Sequence, residues 1–278
     1  MTGLARVARQ YSTRFPHRGT GWVLRKLFPY AGPRARGSVV SIRFLGSHSL
    51  EVDTSTYIGW YLFFYGAYNP ASLSLVRRSL PERGVAVDIG AGIGDFSIAM
   101  ADAVGPEGTV HAFEPSPVEY AKLVRNMALN HLAHVTPYRA AVADQSRTGQ
   151  FFNFEGPNSS RGSLVNTALD PATVPAECPV VSLDDLSGRW PRLDLIKIDA
   201  QGADLLVLRG AVGSLRRWRP LLMFNAMSDP LYECYGTSTQ DIVRFLADES
   251  YEMEWLRRPQ GSRTASGVAR PDARTLPA

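Results

Sequence analysis

The stretch Val85-Ala86-Val87-Asp88-Ile89-Gly90-Ala91-Gly92-Ile93-Gly94-Asp95-Phe96 decides the fold. An apolar run of strand length carries Asp88 near its end. Three glycines follow at a spacing of two and two, and a segment through Met100 and Ala103 then reads as a helix. Glycine suits such a turn because the chain bends tightly and a ligand must come close to the backbone. The dinucleotide fingerprint G-x-G-x-x-G would put its third glycine at position 95, which is Asp95 here. Gly94 instead comes one residue early, which disfavours a nicotinamide dehydrogenase.

Outward from this turn, short apolar runs alternate with amphipathic segments. Thr109 to Phe113 reads as a second strand, Ser116 to Asn130 as a helix, and Val135 to Arg139 as a third strand. Leu193 to Ile198 and Pro220 to Asn225 are two further apolar strands. Such alternation builds right-handed βαβ units, so the expectation is a doubly wound α/β sheet over about residues 70 to 256. Ligands of such sheets bind outside the carboxyl ends of the strands. There the second strand ends in Phe113-Glu114-Pro115, and a carboxylate at Glu114 can accept both hydroxyl protons of a ribose. Ala140-Ala141-Val142-Ala143-Asp144 follows the third strand, the usual place for contacts to an adenine ring. Asp144 reads equally well as a turn acid.

The chain has 278 residues, of which 45% are hydrophobic and 20% charged, enough to bury a core without disulfides. Its two cysteines, Cys178 and Cys234, lie far apart without histidine neighbours, which excludes a disulfide framework and a cysteine-based zinc site. Free thiols suit a reducing compartment, and no apolar run has the roughly 20 residues a bilayer span needs. A cytoplasmic protein is expected. His17, His48, His111, His131 and His134 form no metal pair with other ligands, so no metal is expected. The net charge of +4 is uneven, because residues 1–50 hold nine Lys/Arg and no acid while the remainder is balanced at −5. A basic arm of this kind suits nucleic acid, anionic lipid or an acidic substrate. Leu4, Val7, Ala8 and Tyr11 recur at helical spacing, followed by Trp22, Val23, Leu24, Leu27 and Phe28. The favoured expectation is an arm whose apolar face packs on the body, at a substrate entrance or an oligomer contact, without nucleic-acid binding. The stretch Tyr57 to Tyr68 (YIGWYLFFYGAY) reads either as a buried element or as an aromatic wall over a ligand pocket.

Taken in order, these segments resemble a known family. The glycine spacing, with an acid two residues ahead of Gly90, is similar to motif I of S-adenosylmethionine-dependent methyltransferases. Tyr65-Gly66-Ala67-Tyr68, VAVDIGAGIGDFS, HAFEPSP, Asn126 and Asn130, AAVAD, VSLDDL, DLIKID, LRGA and Trp218-Arg219-Pro220 resemble the series of the FkbM-type methyltransferases. The resemblance covers about residues 57 to 226. It implies a class I methyltransferase fold (Rossmann-like, doubly wound) and methyl transfer from S-adenosylmethionine to a hydroxyl of a small sugar or natural-product type molecule. The alternative is a cofactor-binding protein with altered or lost catalysis.

Carried onto this chain, the cofactor would meet Asp88, Gly90, Ala91, Gly92, Gly94, Phe96, Glu114, Pro115 and Asp144. Asp199 is the first candidate for base or orienting acceptor. Lys197, on the strand face opposite to Ile196 and Ile198, is the second catalytic candidate, through substrate contact or pairing with Asp199 or Asp88. Tyr68, Asn69, Gln201 and Asn225 would line the acceptor. The last three stand where the family carries acids, and an amide can orient a hydroxyl but cannot take its proton. The expected layout is a basic extension over 1–56, the methyltransferase domain over 57–256 and a flexible tail over 257–278.

Overall fold

A computed structural model describes residues 3–14, 20–29, 37–154, 162–166, 173–227, 229–256 and 265–272. Two N-terminal helices, α1 (Gly3–Arg14) and α2 (Thr20–Leu27), precede a hairpin of β1 (Val39–Phe44) and β2 (His48–Asp53). Helices α3 (Tyr57–Tyr65) and α4 (Pro70–Ser79) lead into β3 (Val85–Ile89), α5 (Asp95–Val104), β4 (Thr109–Phe113), α6 (Pro117–Leu129) and β5 (Val135–Tyr138). Four strands follow: β6 (Ala141–Val142), β7 (Arg147–Phe154), β8 (Gly162–Ser163) and β9 (Thr173–Val181). Next come α7 (Leu183–Ser187), β10 (Leu195–Ile198), α8 (Asp204–Arg209), α9 (Val212–Trp218) and β11 (Leu221–Met227). The chain then runs through α10 (Asp229–Glu233), α11 (Thr239–Asp248), β12 (Tyr251–Trp255) and β13 (Ala265–Pro271).

The main sheet has seven strands in the order β12-β13-β11-β10-β3-β4-β5. β3, β4, β5, β10 and β11 run parallel, while β13 is antiparallel to both of its neighbours. A reversed strand inserted next to the edge of a parallel sheet is the class I methyltransferase arrangement, as the sequence resemblance implied. Strand alternation divides the core between the two faces. Val85, Val87 and Ile89 of β3 join Ile196, Ile198, Leu205, Leu208 and Leu215 on one side. Ala86 and Leu195 join Leu62, Phe64, Ile98, Met100 and Leu123 on the other. Burial on both faces explains why these strands read as near-continuous apolar runs.

Several polar residues of the family-like segments are fasteners. Asn126 and Asn130 of α6 accept from Glu51 and Ser49 backbone N–H groups at 2.8 Å, so the helix holds β2 by its free edge. Asn126 also donates to the Ile93 carbonyl at 2.9 Å, tying the hairpin to the glycine turn. Asp184 accepts from the Gly213 and Ser214 N–H groups, both at 2.7 Å, at the start of α9. Asp194 accepts from Val85 N–H at 2.8 Å and so fixes the start of β3.

The structure corrects three expectations. The span taken as a flexible tail contains β13, whose Ala269 and Val268 are fully buried between β11 and β12. Its signal was hidden because Ala265–Pro271 carries few large apolar residues and follows an Arg- and Gly-rich stretch. Next, residues 39–53 are not part of a separate extension, since Ile42, Phe44, Leu50 and Val52 belong to the main core. Finally, the arm docks by a different face than its apolar spacing suggested. Helix α1 buries Ala5 and Ser12, with Ser12 Oγ donating to the Phe64 carbonyl and Arg9 Nε to the Phe63 carbonyl at 2.8 Å. Leu4, Val7, Trp22 and Leu27 are each at least 59% exposed.

Candidate functional site

The three glycines of the turn are needed for different reasons. Gly90 and Ala91 N–H groups both donate to the Phe113 carbonyl at 2.9 Å, folding the turn over the end of β4. Gly90 has φ +73°, and a Cβ there would lie 2.1 Å from the Asp199 carbonyl oxygen. So Gly90 is demanded by Asp199, which sits against the turn at the end of β10. Gly92 has φ +55° and faces open space, which leaves its backbone approachable. Gly94, by contrast, serves packing, since a Cβ there would meet Met127 and Leu123 of α6.

Under the turn lies a buried ion pair. Lys197 is in register with Asp88 on the adjacent strand, and their charged atoms are 2.9 Å apart. Ser97 Oγ donates to the other Asp88 oxygen at 2.6 Å, and Lys197 Nζ donates to the Gly90 carbonyl at 2.7 Å. Burial alone would lower the Lys197 pKa, but Asp88, Asp199 and Asp95 together hold it above its ordinary value. Its cation also sits 5.2 Å from the Phe96 ring centroid. Lys197 therefore braces the turn from below. Removing one partner of a buried pair typically costs 3–5 kcal/mol, because the other charge stays uncompensated. Lys197→Met is expected to lower stability by about 3 kcal/mol in chemical denaturation. Lys197→Met/Asp88→Asn should recover part of that loss, whereas additive losses would show that the two charges do not act as a pair.

Beside the turn a cleft opens at the carboxyl end of the sheet. Gly90, Gly92, Glu114, Pro115, Ala140, Val142, Asp199 and Gln201 line it. Glu114 is held by two amides, its oxygens accepting from Gly92 and Ser116 N–H at 2.8 Å each. Burial pushes its pKa up to about 7, with the amide bonds opposing. Asp95, at the start of α5, is pushed up to about 6 by burial, against the pull of Lys197. Asp204 opens α8, accepts from Gly202 N–H at 3.2 Å, and is also pushed up to about 6 by burial and Asp199.

Asp199 closes the opposite wall. Its Oδ1 accepts from Gln201 Nε2 at 3.1 Å, in a turn where Gln201 and Gly202 both have positive φ. A Cβ on Gly202 would lie 2.7 Å from the Leu231 carbonyl, so this turn too is fixed by a close approach. Tyr68 lies within the field of Asp199 and bonds Tyr57; burial first, then these neighbours, raise its pKa. Its ring stands edge-on to Tyr57 and Tyr61 at centroid distances of 5.9 and 5.4 Å. Helix α3 bears out the buried reading of the aromatic stretch, and its tyrosines are not among the residues that line the cleft. Trp60, Leu62, Phe63 and Phe64 enter the core, while Tyr57, Tyr61 and Tyr65, four residues apart, share the other face.

The cleft gathers some of the residues named from the sequence and not others. Gly90, Gly92, Glu114, Pro115, Asp199 and Gln201 line it, whereas Asp88, Ala91, Gly94 and Phe96 shape the turn from beneath. Asp144 is not among the residues that line the cleft, where Ala140 to Val142 form the wall; it pairs with Arg147 at 3.5 Å. Asn69 does not line the cleft either: its Oδ1 accepts from Ser72 N–H as the cap of α4 and its Nδ2 donates to Ser266 Oγ at 3.2 Å. Asn225 lies in β11 where the pairing with β13 shifts register, and its side chain is outside the described residues. Sequence reasoning missed Phe151 on β7 and Leu164 just after β8, which line the cleft beside the four-stranded sheet β6-β9-β7-β8. Gly162 marks the closeness of that packing, since a Cβ there would lie 2.2 Å from the Phe151 ring. His111 is a core residue, stacked on Trp190 at 4.2 Å, with burial lowering its pKa to about 4.

Residues 88–253 match the model of a family described as methyltransferase FkbM domain. The chain is similar to "Methyltransferase 1" of Beauveria bassiana (strain ARSEF 2860), 29% identical over 148 residues that cover 47% of this chain and 59% of the relative. It is also similar to "Methyltransferase sdnD" of Sordaria araneosa, 29% identical over 161 residues, 48% of this chain and 62% of the relative. The match therefore spans about three fifths of these curated relatives. Among solved structures, M. jannaschii TYW2 in complex with AdoMet is 16% identical with a TM-score of 0.49, covering 84% of this chain and 85% of that one, a likeness of fold alone.

Proposed function

We propose, from the premise that this chain belongs to the methyltransferase FkbM domain family, that it transfers a methyl group from S-adenosylmethionine to a hydroxyl of a small molecule. The observation that supports this reading is the close approach of Gly90 to the Asp199 carbonyl, by which Asp199 and Glu114 come to line one cleft beside the glycine turn. The residues present suit the cofactor. Glu114 would take the ribose hydroxyls, the open backbone at Gly92 the amino-acid half, and Ala140 to Val142 with Phe151 and Leu164 the adenine. When bound, the cofactor supplies an electrophilic methyl carbon on a sulfonium. The chain's task is then to hold an acceptor oxygen in line, exclude water and accept a proton.

Asp199 is the group for that proton. Tyr68, kept neutral by burial and by its neighbours, would donate to or orient the acceptor, and Gln201 would hold the Asp199 carboxylate by its amide. Lys197 takes the role of a positioning residue beneath the turn. A wall of tyrosines at Tyr57, Tyr61 and Tyr68 suits a hydroxylated acceptor with apolar faces, of the sugar or natural-product type, because each ring offers both a face and a hydroxyl. Two free thiols, Cys178 and Cys234, fit action in the reducing cytoplasm. Mass spectrometry of ligand co-purified with the native protein, followed by titration calorimetry, tests the reading. S-adenosylmethionine or its demethylated product should bind at micromolar concentrations and NAD should not. Binding of NAD alone would sink the assignment, and tight cofactor binding without turnover on any hydroxylated acceptor would favour the binding-protein alternative.

A further inference from the structure

We propose that α1 and α2 form a docking surface for an anionic lipid bilayer. This rests on the exposed arm alone and holds whatever the cleft turns over. Leu4, Val7 and Tyr11 recur at i, i+3 and i+7 of α1 and share one exposed face, next to the face that buries Ala5 and Ser12. On α2, Val23 and Leu27 share a second exposed face, with Trp22 beside them and only Leu24 turned into the core. Both helices brace the same element. Arg9 and Ser12 of α1 donate to α3 carbonyls, while Gly21 of α2 abuts Tyr65 and the Phe28 ring, just after α2, lies tilted against Phe64 at a centroid distance of 5.4 Å. Aliphatic side chains left in water on two short helices braced against the same α3 are of the kind that marks an interaction surface.

Charge selects the occupant. Arg6 and Arg14 on α1, and Arg25 and Lys26 on α2, are exposed around the apolar residues. No acid occurs anywhere in residues 1–50. Lys26 Nζ lies over the Trp22 ring, 4.0 Å from its centroid, so an amphipathic ring carries a cation on its face. Basic residues flanking Leu, Val and Trp are the pattern of helices that lie in a membrane interface, with apolar side chains among the acyl chains and cations at the headgroups. A second copy of this chain would set the same cations against themselves across a two-fold axis. A nucleic acid would neutralise the arginines but leave Leu4, Val7, Val23 and Leu27 in water. A bilayer containing anionic lipid satisfies both sets of side chains at once.

Sedimentation of the full chain with vesicles tests this, comparing phosphatidylcholine alone with phosphatidylcholine carrying about 30 mol% phosphatidylserine at about 0.1 M salt. Wild type is expected to bind the anionic vesicles at least tenfold more strongly than the neutral ones. Arg6→Gln/Arg25→Gln/Lys26→Gln should weaken that binding by about fivefold per charge removed. Leu4→Ser/Val7→Ser/Leu27→Ser should abolish it. All six side chains are exposed, so both variants should keep the wild-type thermal unfolding and cofactor affinity. Trp22 is the local reporter, and the blue shift of emission on vesicle binding should disappear in Trp22→Phe. The proposal is overturned by equal partition onto both vesicles or by anionic binding that survives both triple variants. Self-association through Leu4 and Leu27, or RNA binding without vesicle binding, would overturn it too.

Discussion

Asp199→Asn is expected to cut turnover by about 10²–10³-fold while leaving S-adenosylmethionine affinity within a few-fold. The two effects separate in the proposed reaction because the Asp199 backbone carbonyl packs against Gly90, while its carboxylate, held by Gln201, would be the part that meets the acceptor. An asparagine keeps the backbone and the shape but cannot accept the acceptor's proton. Its amide would also face the Gln201 amide, and a rotation of either restores one hydrogen bond, so the turn should stay folded. Gln201→Glu probes the same pair from the other side. Two carboxylates about 3 Å apart cannot both ionise readily, so one of them gives up its proton only at higher pH. The pH profile of turnover should therefore move to higher pH in Gln201→Glu, with cofactor affinity nearly unchanged. The measurement is kcat and cofactor Kd for both variants with an accepted substrate. Full turnover in Asp199→Asn would remove the carboxylate from the chemistry and leave positioning to account for the rate.

The sequence revealed the parallel sheet and its glycine turn because both obey strong local rules. β3, β4 and β10 are buried on both faces, so their apolar runs stand out, and the turn requires glycines wherever backbone approaches backbone. The strands beside the cleft were invisible for the opposite reason. β7 and β9 are largely exposed, and β9 carries Pro175 and Pro179, which argue against a sheet-interior strand. β9 tolerates them because it pairs with β6 only at Val180 and Val181, leaving most of its other edge free. Periodicity likewise found α1 but chose the wrong face for docking. What buries α1 is a small residue, Ala5, and two hydrogen bonds to α3 carbonyls, neither of which contributes to an apolar pattern. Similarly, Asn69 looked like a lost acid of the acceptor site, yet an amide there caps α4 and reaches Ser266 on β13. A carboxylate could serve the cap but could not donate to that hydroxyl as the Nδ2 does.

Glu114→Gln should weaken S-adenosylmethionine binding by roughly 10–100-fold, the worth of about 1.5–3 kcal/mol for hydrogen bonds to a charged acceptor. The wild-type carboxylate can accept two ribose hydroxyls, whereas a glutamine amide can accept through one atom only. The same residue should give binding a pH dependence. Burial raises the Glu114 pKa to about 7, so the ligand-free protein is about half protonated there near neutrality. If the ionised form is the binding form, affinity should rise roughly tenfold between pH 6 and pH 8 and then level off. Stability of the ligand-free protein should move the other way. A carboxyl whose folded pKa lies above its unfolded value, about 4.3, contributes stability below that value and loses it as pH rises through about 7. Relative to Glu114→Gln, wild type should thus lose thermal stability from pH 5 to pH 8 without ligand and recover it when S-adenosylmethionine is added. Calorimetric titrations and melting curves at three pH values check both trends. A pH-independent affinity in wild type would mean that Glu114 does not meet the ribose, and would detach the cofactor from the end of β4.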